Sequence, residues 1–167
     1  MHPLAKGFLY LALFSLLHYG YELTGLSFLR PICGVNESVF EHLKMGFFAY
    51  GFLSCIEYFL AKERERGQSF FFSRLTSNLF IPWILFLLWY TGQAIWGKNN
   101  SWIGELAWAF TVTVLAGTFG SIMEHEVAKK SFPSATRLVF LFLWGASLFL
   151  FVRFTYHPPA IDLFALP

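Results

Sequence analysis

Val35-Asn36-Glu37-Ser38-Val39-Phe40-Glu41-His42-Leu43-Lys44 runs straight into Met45-Gly46-Phe47-Phe48-Ala49-Tyr50-Gly51-Phe52-Leu53, so two carboxylates, an imidazole and an ammonium stand at the mouth of a hydrophobic helix. The apolar run continues to residue 61, long enough to supply the roughly 20 residues that cross about 30 Å of hydrocarbon. Four other stretches have the same character, at residues 4–24, 75–97, 103–127 and 135–156. Each ends in a break: Arg30-Pro31 and Gly34 after the first, the charged run Lys62 to Gln68 after the second, Gly97 to Asn100 after the third, and Lys129-Lys130-Ser131-Phe132-Pro133 after the fourth. The chain of 167 residues is 56% hydrophobic and 13% charged with a mean hydropathy of +0.55, a composition that excludes an ordinary soluble domain. The expected fold is all-α, an integral membrane bundle of five transmembrane helices over residues 1–167, with short loops and no second domain.

Lys and Arg in the short loops set the expected orientation. Lys6, Lys62, Arg64, Arg66, Arg74, Lys129, Lys130 and Arg137 fall on one side, against Arg30, Lys98 and Arg153 on the other. That asymmetry places the N-terminus in the cytoplasm and the C-terminus outside, in a bacterial cytoplasmic (inner) membrane. The first span, with Tyr10, His18 and Glu22 in it and no small-residue cleavage site after it, reads as retained rather than as a signal peptide. The net charge of +2 reflects the loop asymmetry and points to no nucleic-acid surface. Cys33 and Cys55 fall too far apart in such a bundle for a disulfide.

Charge at membrane depth is expensive unless it faces a partner or a wet cavity, so the ionisable residues mark where function would lie. His18 and Glu22 are four apart on one face of the first helix, near its outer end. Glu37, Glu41 and Lys44 share a face at the start of the second helix, and Ser38 and His42 share the adjacent one. Imidazoles and carboxylates at this spacing on antiparallel neighbours suit Zn, Fe, Mn or Ni, with His18, Glu22, Glu41 and His42 as expected ligands. Asn36, Glu37, Ser38 and Lys44 would surround them. The pocket would open outward beneath the Leu26 to Val35 loop and the Pro-rich tail, and would take a divalent cation or a small cationic ligand, with transport as one use. A metal-dependent hydrolase is the alternative, with Glu37 as its base.

A structural account competes with both. Ser38-Val39-Phe40-Glu41 fits a capping box, in which Ser38 accepts from the first turn and Glu41 reaches back to the cap; Asn36 is a second candidate N-cap. A second polar level lies near the cytoplasmic side. Glu57 lies there, while Glu124-His125-Glu126 beside Lys129 and Lys130 reads chiefly as a solvated helix end. Glu41 and Glu57 are about 24 Å apart along the helix, so Glu57, Glu124 and His125 would belong to a separate inner proton or ion path. Gly46, Gly51, Gly117 and Gly120 offer close helix packing, and Pro82 should kink the third helix, with Thr76 and Asn78 near the freed carbonyl. The triplets beginning at Asn36 and Asn99 read as chance N-x-S matches.

His18-Tyr19-Gly20-Tyr21-Glu22-Leu23-Thr24-Gly25 and Val35 to Lys44 together resemble the signature of an uncharacterised bacterial multi-spanning membrane family, which reads H-x-x-Y-E-x-[ST]-G and then V-N-E-S-V-W-E-H-L-K. Phe40 stands where that family usually has tryptophan. The tail Tyr156 to Phe164 is similar to the family's Pro-Pro-x-Ile-x-Leu-Phe close. The resemblance implies that His18, Glu22, Asn36, Glu37, Ser38, Glu41, His42 and Lys44 form one motif, and it implies no particular activity.

Overall fold

The structure is a computed structural model that describes residues 1–62, 67–97 and 101–165. Arg64, Arg66 and Lys98 of the charge count, and Asn99 and Asn100 of the second N-x-S triplet, lie outside the described residues. Five helices follow in order: α1 (Pro3–Thr24), α2 (Val39–Leu60), α3 (Gln68–Trp96), α4 (Trp102–Ala128) and α5 (Ser134–Tyr156), with 3-10 turns at Ser27–Leu29 and Asp162–Phe164. Among the described residues there is no strand. Local chemistry sets the ends. Pro3 opens α1, where its missing N–H is no loss, and Gly25 closes it in the left-handed conformation (φ 65°), its N–H donating to Tyr21 O. Ser38 Oγ caps α2 by accepting from Glu41 N, and Ser101 Oγ caps α4 by accepting from Gly104 N.

Helix α3 starts at Gln68, a full turn and more before the hydrophobic stretch that foretold it. Its first turns are polar: Ser69 Oγ donates to the carbonyl of Ala128 on α4 at 2.7 Å, and Arg74 reaches Glu57 on α2. Pro82 lies inside α3. Thr76 Oγ1 donates to Phe72 O, whereas the Asn78 side chain bridges helices, donating to Phe47 O (2.7 Å) on α2 and accepting from Trp144 Nε1 (2.9 Å) on α5. Asn78 thus serves as a clip between helices rather than as local support for the proline.

Helices α1 to α4 form an antiparallel up-and-down bundle in which α1 packs on α2 and α4, and α3 packs on the same two. Its core is Tyr10, Phe14, Met45, Tyr50, Leu53, Ile81, Leu85 and Val112. Helix α5 lies outside, against α3 and against α2 through Phe47–Trp144 and Phe40–Phe151, and none of its residues is buried. Glycine permits the closest helix contact: a Cβ on Gly117 would stand 3.0 Å from Gly7 Cα and 2.8 Å from Tyr10 Cδ1.

Helices α2 to α5 are long and apolar enough to cross a membrane; α1 has the length, at 22 residues, and falls short in hydropathy. Phe8, Leu16, Phe59, Trp83, Leu87, Phe142 and Phe149 all face outward, an apolar exterior consistent with bilayer contact. Polar residues cluster at the two ends of the bundle. The His end gathers the C-terminus of α1 and the N-terminus of α2; the Lys end gathers the N-terminus of α1 and the C-termini of α2 and α4.

Candidate functional site

At the His end, the N-terminal architecture of α2 aims Glu37 and His42 toward α1. Asn36 Oδ1 accepts from Ser38 N (2.9 Å) and Ser38 Oγ accepts from Glu41 N, so the chain enters the helix at a fixed angle. His42 Nδ1 lies 2.9 Å from Ser38 O, a group that can only accept, so Nδ1 donates there and Nε2 is the ring nitrogen turned toward Glu37. Glu37 Oε2 stands 3.6 Å from that Nε2 and 3.6 Å from His18 Nε2 on α1. One ligand atom from each of His18, Glu37 and His42 lies within 4.8 Å of the others, and among the described residues no Lys or Arg joins them. His18 Nδ1 is buried without a hydrogen-bond partner among the described residues. Phe14 stacks below His42, with ring centroids 6.4 Å apart, and closes the floor.

Beside the triad opens a cavity of about 180 Å³, lined by His18, Tyr21 and Glu22 of α1, by Gly34 to Glu37 of the loop and by Met45. Glu22, an expected ligand, stands on this wall rather than in the triad. Glu41, the other expected carboxylate ligand, is turned away. Its Oε2 accepts from Val35 N (2.8 Å) and pairs with Lys44 Nζ (2.7 Å), and both side chains are buried. Lys44 also donates to Arg30 O (2.8 Å) and Thr155 Oγ1 (3.2 Å), tying the loop and α5 to α2. Glu41 therefore does not complete the capping box, because its carboxylate holds the loop backbone and Lys44 instead. The described part of the tail lines no part of the cavity: Phe164 stacks on Phe40 at 4.4 Å, on the α5 side of α2. Cys33 is buried in the loop, its Sγ set against Gly20, and burial pushes its thiol up; Cys33 and Cys55 are both free.

The Lys end is built in the opposite way. Lys6 is fully buried, its Nζ 2.5 Å from Glu57 Oε2 and 2.7 Å from both oxygens of Glu124, above the Tyr50 ring. Tyr50 OH donates to Glu124 Oε1 (2.8 Å), and Arg74 Nε donates to Glu57 Oε2 (3.1 Å). Glu124 is thus an interior group, only 3% exposed, and not part of a solvated helix end. The reading of that end as solvated holds for its neighbours: Glu126 pairs with Lys129 at the surface, and His125 is turned out of the cluster, its Nδ1 2.7 Å from Ser121 O. Sequence reasoning treated Lys6 and Arg74 as loop charges. A signal existed in the helix dipoles. Lys6 sits in the first turns of α1, and Glu57 and Glu124 near the C-termini of α2 and α4, so all three oppose the dipole and require partners.

Between the two ends the interior is packed. Tyr10 lies edge-on to Phe14 and Tyr50 and donates to Gly46 O, filling the centre of the bundle.

The fold and its two polar ends define an all-helical, membrane-type bundle. The chain belongs to the family of unknown function DUF6512, whose pattern matches residues 4–166. No curated protein and no solved structure matches it.

Proposed function

We propose that the protein binds a divalent transition-metal ion at its His end, held by His18, Glu37 and His42. The observation that carries this reading is a deficit of positive charge. Two imidazole nitrogens converge on one carboxylate with no ammonium or guanidinium among them from the described residues, and one imidazole donates from Nδ1 to a backbone carbonyl. Two histidines and a carboxylate with open positions beside them suit Zn, Fe, Mn or Ni. Ligand atoms about 2.0–2.1 Å from a tetrahedral metal lie about 3.3 Å apart, so the two Glu37–imidazole separations of 3.6 Å need a small contraction that Glu37, 63% exposed, is free to make, while the whole set, within 4.8 Å, also needs the two imidazoles to draw together around the ion. Glu22 and Asn36 line the cavity that the open positions would face.

Lys62, Lys129, Lys130 and Arg137 lie at the Lys end against Arg30 and Arg153 at the His end, which favours a cytoplasmic Lys end and an outward-facing metal site in a bacterial inner membrane. The packed core between the ends favours retention of the ion over its conduction. Passage to Glu57 and Glu124 would require Tyr10 and Phe14 to move and Lys6 to leave. A hydrolytic use of the metal is the second reading. Because Glu37 is then a ligand, the base would be Glu22, which stands on the cavity wall.

The test is elemental mass spectrometry on protein purified in mild detergent, for the wild type and a His18→Ala, His42→Ala variant. Near-stoichiometric metal in the wild type, lost from a variant that still melts cooperatively, is the expected result. Absence of metal from wild type reconstituted with Zn, Fe, Mn and Ni in turn would overturn the assignment.

A further inference from the structure

A second cavity, of about 360 Å³, lies at the His end between the last turns of α3 and the first turns of α4, away from the triad. Three indoles, Trp89, Trp96 and Trp108, line it together with Gln93 and Glu105. Trp108 is held firmly. Its indole fills the space a side chain at position 92 would need, since a Cβ on Gly92 would stand 2.5 Å from Cε2 and 2.7 Å from Nε1, and Trp96 meets it edge to face at 5.5 Å. Glu105 makes no ion pair or side-chain hydrogen bond among the described residues.

Glu105 lies in the first turn of α4, where the helix dipole favours a carboxylate, and that alone accounts for its tolerance there. It does not account for the indoles around it. An anion would meet the Glu105 charge, and an uncharged apolar occupant would strip water from the carboxylate without replacing it. A bare metal ion would find one carboxylate and one amide and no imidazole or thiolate. The occupant that satisfies both the carboxylate and the indoles is an ammonium group carrying carbon, which gains from the carboxylate charge and from the aromatic faces together. The cavity lies beside Trp96 and Trp102 at the ends of two apolar helices, the level at which tryptophan meets lipid headgroups. We propose that this cavity binds the ammonium headgroup of a phospholipid, with Glu105 as counter-ion and Trp96 and Trp108 as its aromatic walls.

Native mass spectrometry of the detergent-purified protein, titrated with phosphatidylethanolamine or with phosphatidylglycerol of the same acyl chains, tests this directly. The expected result is one phosphatidylethanolamine retained about fivefold or more in preference to phosphatidylglycerol. That preference should be lost in Glu105→Gln and reduced in Trp96→Ala, whose side chain is 72% exposed. Equal retention of the two lipids by wild type would show an acyl-chain groove and overturn the proposal without any variant. Preference unchanged in Glu105→Gln would overturn it as well. Free choline displacing the lipid at equal concentration would show that the site reads a soluble ammonium compound, against the lipid assignment.

Discussion

The two ends of the bundle use the same kinds of side chain and reach opposite electrostatic states. At the Lys end, Glu57 and Glu124 are neutralised by Lys6 and Arg74, and each of these four buried or half-buried charges is bound by another. At the His end, Glu37 meets two imidazoles and, among the described residues, no cationic Lys or Arg, while the nearby ammonium of Lys44 is taken by Glu41 and by the loop backbone. One end carries its own cations. The other, on the function proposed above, leaves a place for one that comes from outside. A buried pair that is complete gives structure, whereas an exposed carboxylate beside two imidazole nitrogens offers the donor set of a candidate binding site.

The sharpest way to break this comparison is Lys6→Ala. It leaves two buried carboxylates with one guanidinium between them, and should destabilise the protein by about 3–5 kcal/mol, read as a lower thermal midpoint in detergent. The triple variant Lys6→Met, Glu57→Gln, Glu124→Gln, which removes the charges together, should recover much of that loss. A Lys6→Ala protein as stable as wild type would mean that the Lys end is wet and its charges are not mutually dependent.

Glu41→Gln and Glu37→Gln then separate the two carboxylates of the α2 mouth. Glu41→Gln removes the partner of buried Lys44, and the loss should be about 1.5–3 kcal/mol, with metal still bound. Glu37→Gln should change stability in the absence of metal by less than about 1 kcal/mol, and should abolish metal retention. The reverse pattern, metal lost with Glu41 and kept with Glu37, would restore the ligand set expected from spacing alone. Metal affinity should also weaken as the pH is lowered, because protons compete with the ion for its ligand atoms.

The smallest effect expected is at Cys33. Burial raises its thiol, so the thiolate needed for alkylation is scarcer at pH 8 than in an open thiol. In a Cys55→Ser background, maleimide should label Cys33 quickly only after denaturation. Fast labelling of the native protein would show that the loop over the His end opens.

Much of the fold could be read in advance because bilayer-length apolar runs carry their own boundaries. Ser38 marks the start of α2, and the described helices begin or end within a residue or two of the expected spans except at the start of α3. There, hydropathy misleads, since Gln68 to Arg74 is helical but polar, held by contacts to α4 and α2. The candidate site was legible as a neighbourhood and not as a set of ligands. His18 and His42 could be named from spacing, yet spacing could not say which of Glu22, Glu37 and Glu41 would turn toward them. That choice depends on what else each carboxylate can reach, and Glu41 reaches Lys44 and Val35 N first.

By itself, the sequence determined that this chain forms apolar helices with short connections, because hydrocarbon-length runs and helix-end residues act locally. It also determined that charge gathers at the two ends of the bundle. Only the tertiary structure decided which charges cancel. It carried Lys6 from the start of α1 to Glu124 near the end of α4, a pairing of residues far apart in sequence that no local pattern encodes. The physical reason is that an electrostatic partner is chosen by distance and burial after the helices pack, whereas helix formation is chosen before.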